Sequence, residues 1–137
     1  MRTVRFFVEG EPRGKGRPRF MRSGHTYTDD KTREYERRVR HAALEVIGLD
    51  TFEGPVSVEI RAFMGVPKSA SKTKAGEMIM GFLKPTKKPD IDNIVKIVMD
   101  GMNGIVYEDD AQVTSLTVRK RWRTSPGVEV VIMEDVE

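Results

Sequence analysis

The chain has 137 residues, a formal net charge of +3 and no cysteine. Its length suits one hydrophobic core, so a single domain is expected over residues 1–137, and the lack of cysteine excludes disulfides, thiolate metal sites and a cysteine nucleophile. With His25 and His41 as the only histidines, any metal must be held by oxygen, which favours Mg²⁺ or Mn²⁺.

No apolar run reaches the roughly 18 residues needed to span a bilayer, and residues 1–10 lack the apolar stretch of a signal peptide, so a cytoplasmic protein is expected. Residues 2–8 mix β-branched and aromatic side chains and read as a strand. Residues 11–23 follow, with Arg13, Lys15, Arg17, Arg19 and Arg22 against the single acid Glu11. Glycine and proline punctuation there predicts a flexible basic loop without regular structure.

Over residues 29–47, Tyr35, Val39, Ala42, Ala43, Val46 and Ile47 recur at helical spacing, while Arg33, Arg37, Arg38 and Arg40 lie mostly elsewhere around the axis. Thr28 or Asp29 can cap this helix and Gly48 can end it. Val56, Val58 and Ile60 then alternate with Ser57, Glu59 and Arg61 in a half-buried strand. Residues 67–76, with Lys68, Lys72 and Lys74, fit a mobile basic loop or a short helix. Residues 85–89 form an extended approach bearing Lys87 and Lys88.

A second helix is expected over residues 93–102, with Ile94, Val95, Val98, Met99 and Met102 facing inward and Asn103-Gly104 as its stop. Strands over residues 113–122 and 128–133 complete the order strand, helix, strand, helix, strand, strand. That order predicts an α+β domain in which two main helices pack on an antiparallel or mixed sheet of about four strands.

The chemistry concentrates in Asp90-Ile91-Asp92-Asn93 and Lys96. Residues two apart share a face in an extended segment but not in a helix. Pro89 disfavours helix for Lys88, and Asp92 is a good N-cap, so both acids are expected on an extended approach with converging carboxylates. Two such charges about 4 Å apart repel by roughly 4 kcal/mol at an effective dielectric near 20, a sign that a divalent cation reverses. Lys96 stands one turn beyond Asp92.

A second acidic group, Glu108-Asp109-Asp110, precedes the strand at Val113. If that strand runs beside the start of the helix, the loop supplies a third ligand. A helix cap, a surface ion pair and a solvated turn would account for the same acids one by one. The basic runs, including Arg119 and Arg121, suit either a polyanion or a solvated surface.

Asp90-Ile91-Asp92-Asn93, Lys96 and the block Tyr107-Glu108-Asp109-Asp110-Ala111-Gln112-Val113 resemble, in type and spacing, the corresponding blocks of the RusA family of Holliday junction resolvases. The strong likeness covers residues 88–121, and residues 68–76 look like an insertion. The resemblance implies a RusA-like fold and a homodimer that binds four-way DNA junctions and, with Mg²⁺ or substituting Mn²⁺, cuts two opposing strands near the branch. No membrane and no small-molecule cofactor are implied.

Carried over to this chain, Asp90, Asp92 and Asp110 are metal-site carboxylates and Lys96 an essential positive charge, with Asp110 preferred over Asp109. Arg13, Lys15, Arg17, Arg19, Lys87, Lys88, Arg119 and Arg121 are the expected grips on DNA phosphates. A nuclease for flaps or forks, or a non-catalytic nucleic-acid-binding protein, fits the same residues.

Overall fold

The computed structural model describes residues 1–16, 19–27 and 29–137, with Arg19 described by its backbone. Arg17 and the Thr28 alternative for the helix cap lie outside the described residues.

The strand β1 (Thr3–Glu9) buries Val4, Phe6 and Val8 and exposes the residues between them, the period-2 signature of a strand covered on one face. The basic segment is not wholly irregular, as had been expected. Two short strands, β2 (Arg19–Phe20) and β3 (Thr26–Tyr27), pair antiparallel. Between them Gly24 takes φ 87° and donates to the Met21 carbonyl at 2.9 Å, so glycine closes a turn here rather than breaking structure.

Helix α1 (Asp30–Ile47) starts where the Asp29 carboxylate accepts the Thr32 N–H at 2.7 Å. Its buried stripe is Thr32, Tyr35, Val39, Ala43 and Ile47. Val46, expected inward, is exposed, because it lies off the i, i+4 line of Tyr35, Val39, Ala43 and Ile47 that meets the core. β4 (Val56–Gly65) follows, and then α2 (Lys72–Ile79), capped by Ser71 on the Lys74 N–H. The lysine-bearing stretch is thus a short helix, which buries only Met78. The remaining elements are α3 (Ile91–Met102), β5 (Val113–Arg123) and β6 (Gly127–Glu134).

The four long strands form one mixed sheet in the order β1-β6-β4-β5. Only the β4/β5 pair is parallel. Helices α1 and α3 cover one face, where Val4, Phe6, Val58, Ile60, Ala62, Val130 and Ile132 join Tyr35, Val39, Ile94, Ile97 and Val98 in a continuous core. The alternate residues face the other way, so Arg5, Phe7, Arg61, Phe63, Arg119, Arg121 and Arg123 share the opposite face of the sheet. There the Arg123 guanidinium lies 5.1 Å from the Phe7 ring centroid and 4.8 Å from that of Phe63. Among the described residues no helix is long and apolar enough to cross a membrane.

α1 and α3 meet where α3 has no side chain. A Cβ added at Gly101 would stand 2.7 Å from both Cβ and Cγ1 of Val39 and 3.2 Å from the Glu36 carbonyl. Gly76 in α2 has nothing within 4 Å of the same position. Gly101→Ala should therefore destabilise the fold by about 1–3 kcal/mol through overpacking, whereas Gly76→Ala should stabilise it by up to about 1 kcal/mol through helix propensity. Urea denaturation of the two variants checks both signs, and equal effects would overturn the assignment of Gly101 as a contact point.

Candidate active site

Asp90 is the N-cap of α3, with extended backbone at φ −71° and ψ 151°. Its carbonyl accepts the Ile94 N–H at 3.1 Å, but its carboxylate makes no capping bond and remains exposed. Asp92 is not on the extended approach, contrary to expectation. It lies in the first helical turn, because the restriction imposed by Pro89 falls on Lys88 and leaves Asp90 to begin the helix. Both carboxylates stand at the helix end whose partial positive charge favours anions. Lys96 is exposed one turn further on and forms no ion pair with Asp92 among the described residues.

Asp110 sits elsewhere. It opens a single 3₁₀ turn (Asp110–Gln112), and its N–H donates to Asn103 Oδ1 at 3.0 Å. Asn103 is the C-cap of α3, and a helix of 12 residues is about 18 Å long. Asp110 therefore lies at the opposite end of α3 from Asp90. The condition on which the loop before β5 would supply a third ligand is not met within one chain, because β5 begins where α3 ends. Among the described residues no three carboxylate or histidine side chains are grouped closely enough to hold one metal ion.

The turn has its own internal logic. The Asp109 carboxylate accepts the Ala111 N–H at 3.2 Å and is occupied as a cap. Gln112, part of the family block, uses both ends of its amide. Its Nε2 donates to the carbonyls of Phe52 (3.0 Å) and Gly54 (2.9 Å), while its Oε1 accepts the N–H groups of Glu108 (2.9 Å) and Asp109 (3.2 Å). Asp110 is thereby presented on a pinned loop. Behind it the buried Tyr107 hydroxyl donates to the Met99 carbonyl at 3.3 Å, and its pKa is raised by burial and by the nearby Asp110, Asp100 and Asp109.

At the Asp90 end, the first basic segment folds against α3. An open cleft of about 590 Å³ is lined by Glu11, Arg13, Gly14, Lys15, Arg38, Lys88, Pro89, Asp90 and Asn93. Arg13, Lys15, Lys88 and Asp90 are thus brought together as expected residues, and Arg38 joins them from α1.

Lys87 stands over the Trp122 ring at 5.4 Å, and its carbonyl accepts from Lys120 Nζ at 2.5 Å. Arg119 and Arg121 are not part of this cleft. They belong to the face of β5 turned away from α1 and α3. Of the remaining expected residues, Arg19 contributes its backbone to β2 and Arg17 lies outside the described residues.

Lys15 holds the cleft in place rather than facing solvent. Its N–H donates to the Asn93 carbonyl at 2.9 Å, and its ammonium pairs with Glu36 of α1 and, at 3.0 Å, with Asp100 of α3. Burial disfavours the charge, but hydrogen bonding and attraction to Glu36 and Asp100 outweigh it and raise the pKa above the ordinary 10.5. A raised folded-state pKa contributes stability that is fully present below 10.5 and lost as pH climbs through the folded value. Lys15→Met should therefore cost about 1–2 kcal/mol at pH 7, a part-buried pair lying between exposed and buried cases. In chemical denaturation the gap from wild type should narrow above pH 10.5. A gap unchanged across that range would contradict an electrostatic role.

Comparison with known proteins assigns the chain to a family. Residues 9–133 match the family model described as endodeoxyribonuclease RusA. The chain is also 39% identical over 139 residues to the uncharacterized protein YqaN of Bacillus subtilis (strain 168), with 98% of each chain covered. The match to the family model spans the loop, the helices, β4, β5 and all of β6 but its last residue, and takes in only Glu9 of β1. The chain belongs to the RusA family of endodeoxyribonucleases, hydrolases that act on DNA.

Proposed function

We propose that this protein resolves four-way DNA junctions in recombination and repair, as a Mg²⁺-dependent homodimer that hydrolyses one phosphodiester on each of two opposing strands. The observation that carries the reading is Asp90: a helix-capping carboxylate that makes no capping bond, exposed in a cleft with Arg13, Arg38 and Lys88. A surface helix cap would use that carboxylate on its own amides.

Asp90 and Asp92 are hard oxygen donors suited to Mg²⁺, with Mn²⁺ able to substitute. The bound ion supplies charge neutralisation and polarisation of the scissile phosphate. Arg13, Arg38 and Lys88 hold flanking phosphates and orient the strand in the cleft. Water adds to phosphorus and gives up a proton to solvent, the bond to the leaving oxygen breaks and that oxygen takes a proton from solvent, and Lys96 stabilises the negative charge that gathers in the transition state. Lys96 acts as a fixed positive charge, since an ammonium is a poor base near neutral pH.

Asp110 enters the reaction through a second copy. About 18 Å of helix separates it from Asp90 within one chain, whereas Mg²⁺ ligands stand about 2.0–2.1 Å from the ion. A twofold dimer in which the Asp110 end of each protomer meets the Asp90 end of the other completes two equivalent sites, one for each strand to be cut. The nuclease reading predicts that Asp90→Asn lowers junction cleavage by at least about a hundredfold with binding retained, and that chelation of Mg²⁺ does the same. Cleavage that persists in Asp90→Asn would overturn it. Flap and linear duplex run alongside the junction decide the substrate shape, and binding without cleavage under any metal would favour a binding protein.

The shared site has a sharper test. Asp90→Asn and Asp110→Asn, each inactive alone, should regain single-strand nicking when their subunits are exchanged, because the mixed dimer contains one site with both carboxylates intact. Mixed dimers that remain inactive would overturn the exchange of Asp110 between protomers.

A further inference from the structure

We propose that Tyr35, Arg13, Lys31 and Arg38 form a docking pocket for a backbone phosphate of the bound DNA strand, adjoining the Asp90 cleft. This inference rests on the reading of that cleft as a DNA site. It adds Tyr35 and Lys31 of α1 to the arginines Arg13 and Arg38 already placed at the cleft.

Tyr35 is 2% exposed, and among the described residues its hydroxyl is a buried group with no hydrogen-bond partner. Folded proteins leave few buried polar atoms unsatisfied, and one that persists calls for a ligand, a water or a functional reason. The residue helps wall a cavity of about 230 Å³ whose other lining residues are Arg13, Lys31, Glu34 and Arg38. That volume is several times the roughly 30 Å³ share of a water molecule in the liquid. Three cationic side chains face a single carboxylate there.

Arg38 is fixed in place, with its guanidinium 5.6 Å from the Tyr35 ring centroid and donating to the Glu9 carbonyl. Burial pushes the Tyr35 hydroxyl up to about 12, against the opposing influence of Arg38 and Arg13, so at working pH it is a proton donor in need of an acceptor. A water would satisfy the hydroxyl but leave the excess cationic charge. A phosphate oxygen satisfies both.

Position identifies the phosphate. Arg13 and Arg38 line this cavity and also the cleft that contains Asp90, so the two sites share a wall. A strand with its scissile phosphate at Asp90 would carry a neighbouring phosphate across that wall to Tyr35. Such a contact reads no base. It sets the register of the strand relative to the carboxylates.

The test uses the full-length protein and a synthetic four-way junction. Tyr35→Phe should leave the melting temperature unchanged or slightly raised, because the hydroxyl it removes has no partner among the described residues. The same change should weaken junction binding by roughly tenfold, the scale of one hydrogen bond to a charged group. Lys31→Gln should lower the slope of log affinity against log salt by about one.

Single methylphosphonate linkages placed along the strand should reveal one position that weakens wild type but not Tyr35→Phe, the coupling expected of groups in contact. Tyr35→Phe binding within twofold of wild type, or equal sensitivity to every linkage, would overturn the pocket. If wild type in that assay still loses cleavage on Asp90→Asn, the nuclease reading survives the loss of the pocket. Wild type that binds no junction would overturn both.

Discussion

The close contact of Gly101 with Val39 sets the depth at which α3 lies on the sheet. Without a side chain at that point α3 packs tightly against α1, and Ile94, Ile97, Val98 and Met102 reach the core formed by the even-numbered strand residues. Everything with chemical potential is then referred to the two ends of one short, rigid cylinder. Asp90 and Asp92 occupy its start, and Asn103 at its finish receives the turn that bears Asp110.

Charge is organised around the same pair of helices. Lys15 spans them through Glu36 and Asp100, so the basic loop is stitched to the scaffold by a cation that no longer contributes free charge to the cleft. Arg13, Arg38 and Lys88 are left to face whatever enters. This division explains how a loop rich in glycine and proline can present side chains in a defined geometry: Gly14 lets the backbone pass close to Asn93 and Pro89, where a Cβ would stand 2.9 and 3.0 Å from theirs.

Much of the fold was legible because its signals are local. Period-2 alternation in β4 and helical spacing from Tyr35 to Ile47 follow directly from which face meets the core. The Asp29 cap and the positive-φ Gly48 and Gly104 near the helix ends were equally readable. The family resemblance singled out Asp110, and the Asp109 carboxylate is occupied as a cap.

What could not be read depends on long-range pairing. The distance between Asp90 and Asp110 is set by β5 starting at the far end of α3, which no spacing between the two motifs encodes. Lys15 looked like any other member of a basic run, since its partners lie 21 and 85 residues further along the chain. Gln112 stood in the family block without a role of its own, because its value lies in four hydrogen bonds to backbone groups, two of them near residue 53.

The edge position of β5 has a consequence for the shape of DNA the protein suits. The strand is the last in the sheet, and its successive side chains alternate between the layer that holds the cleft and the opposite face with Arg119, Arg121 and Arg123. A straight duplex laid on one side of a sheet cannot also lie on the other. If the arginines of both faces grip DNA, arms that diverge from a branch point can straddle the rim, one on each side, a geometry open to a fork and closed to a straight duplex.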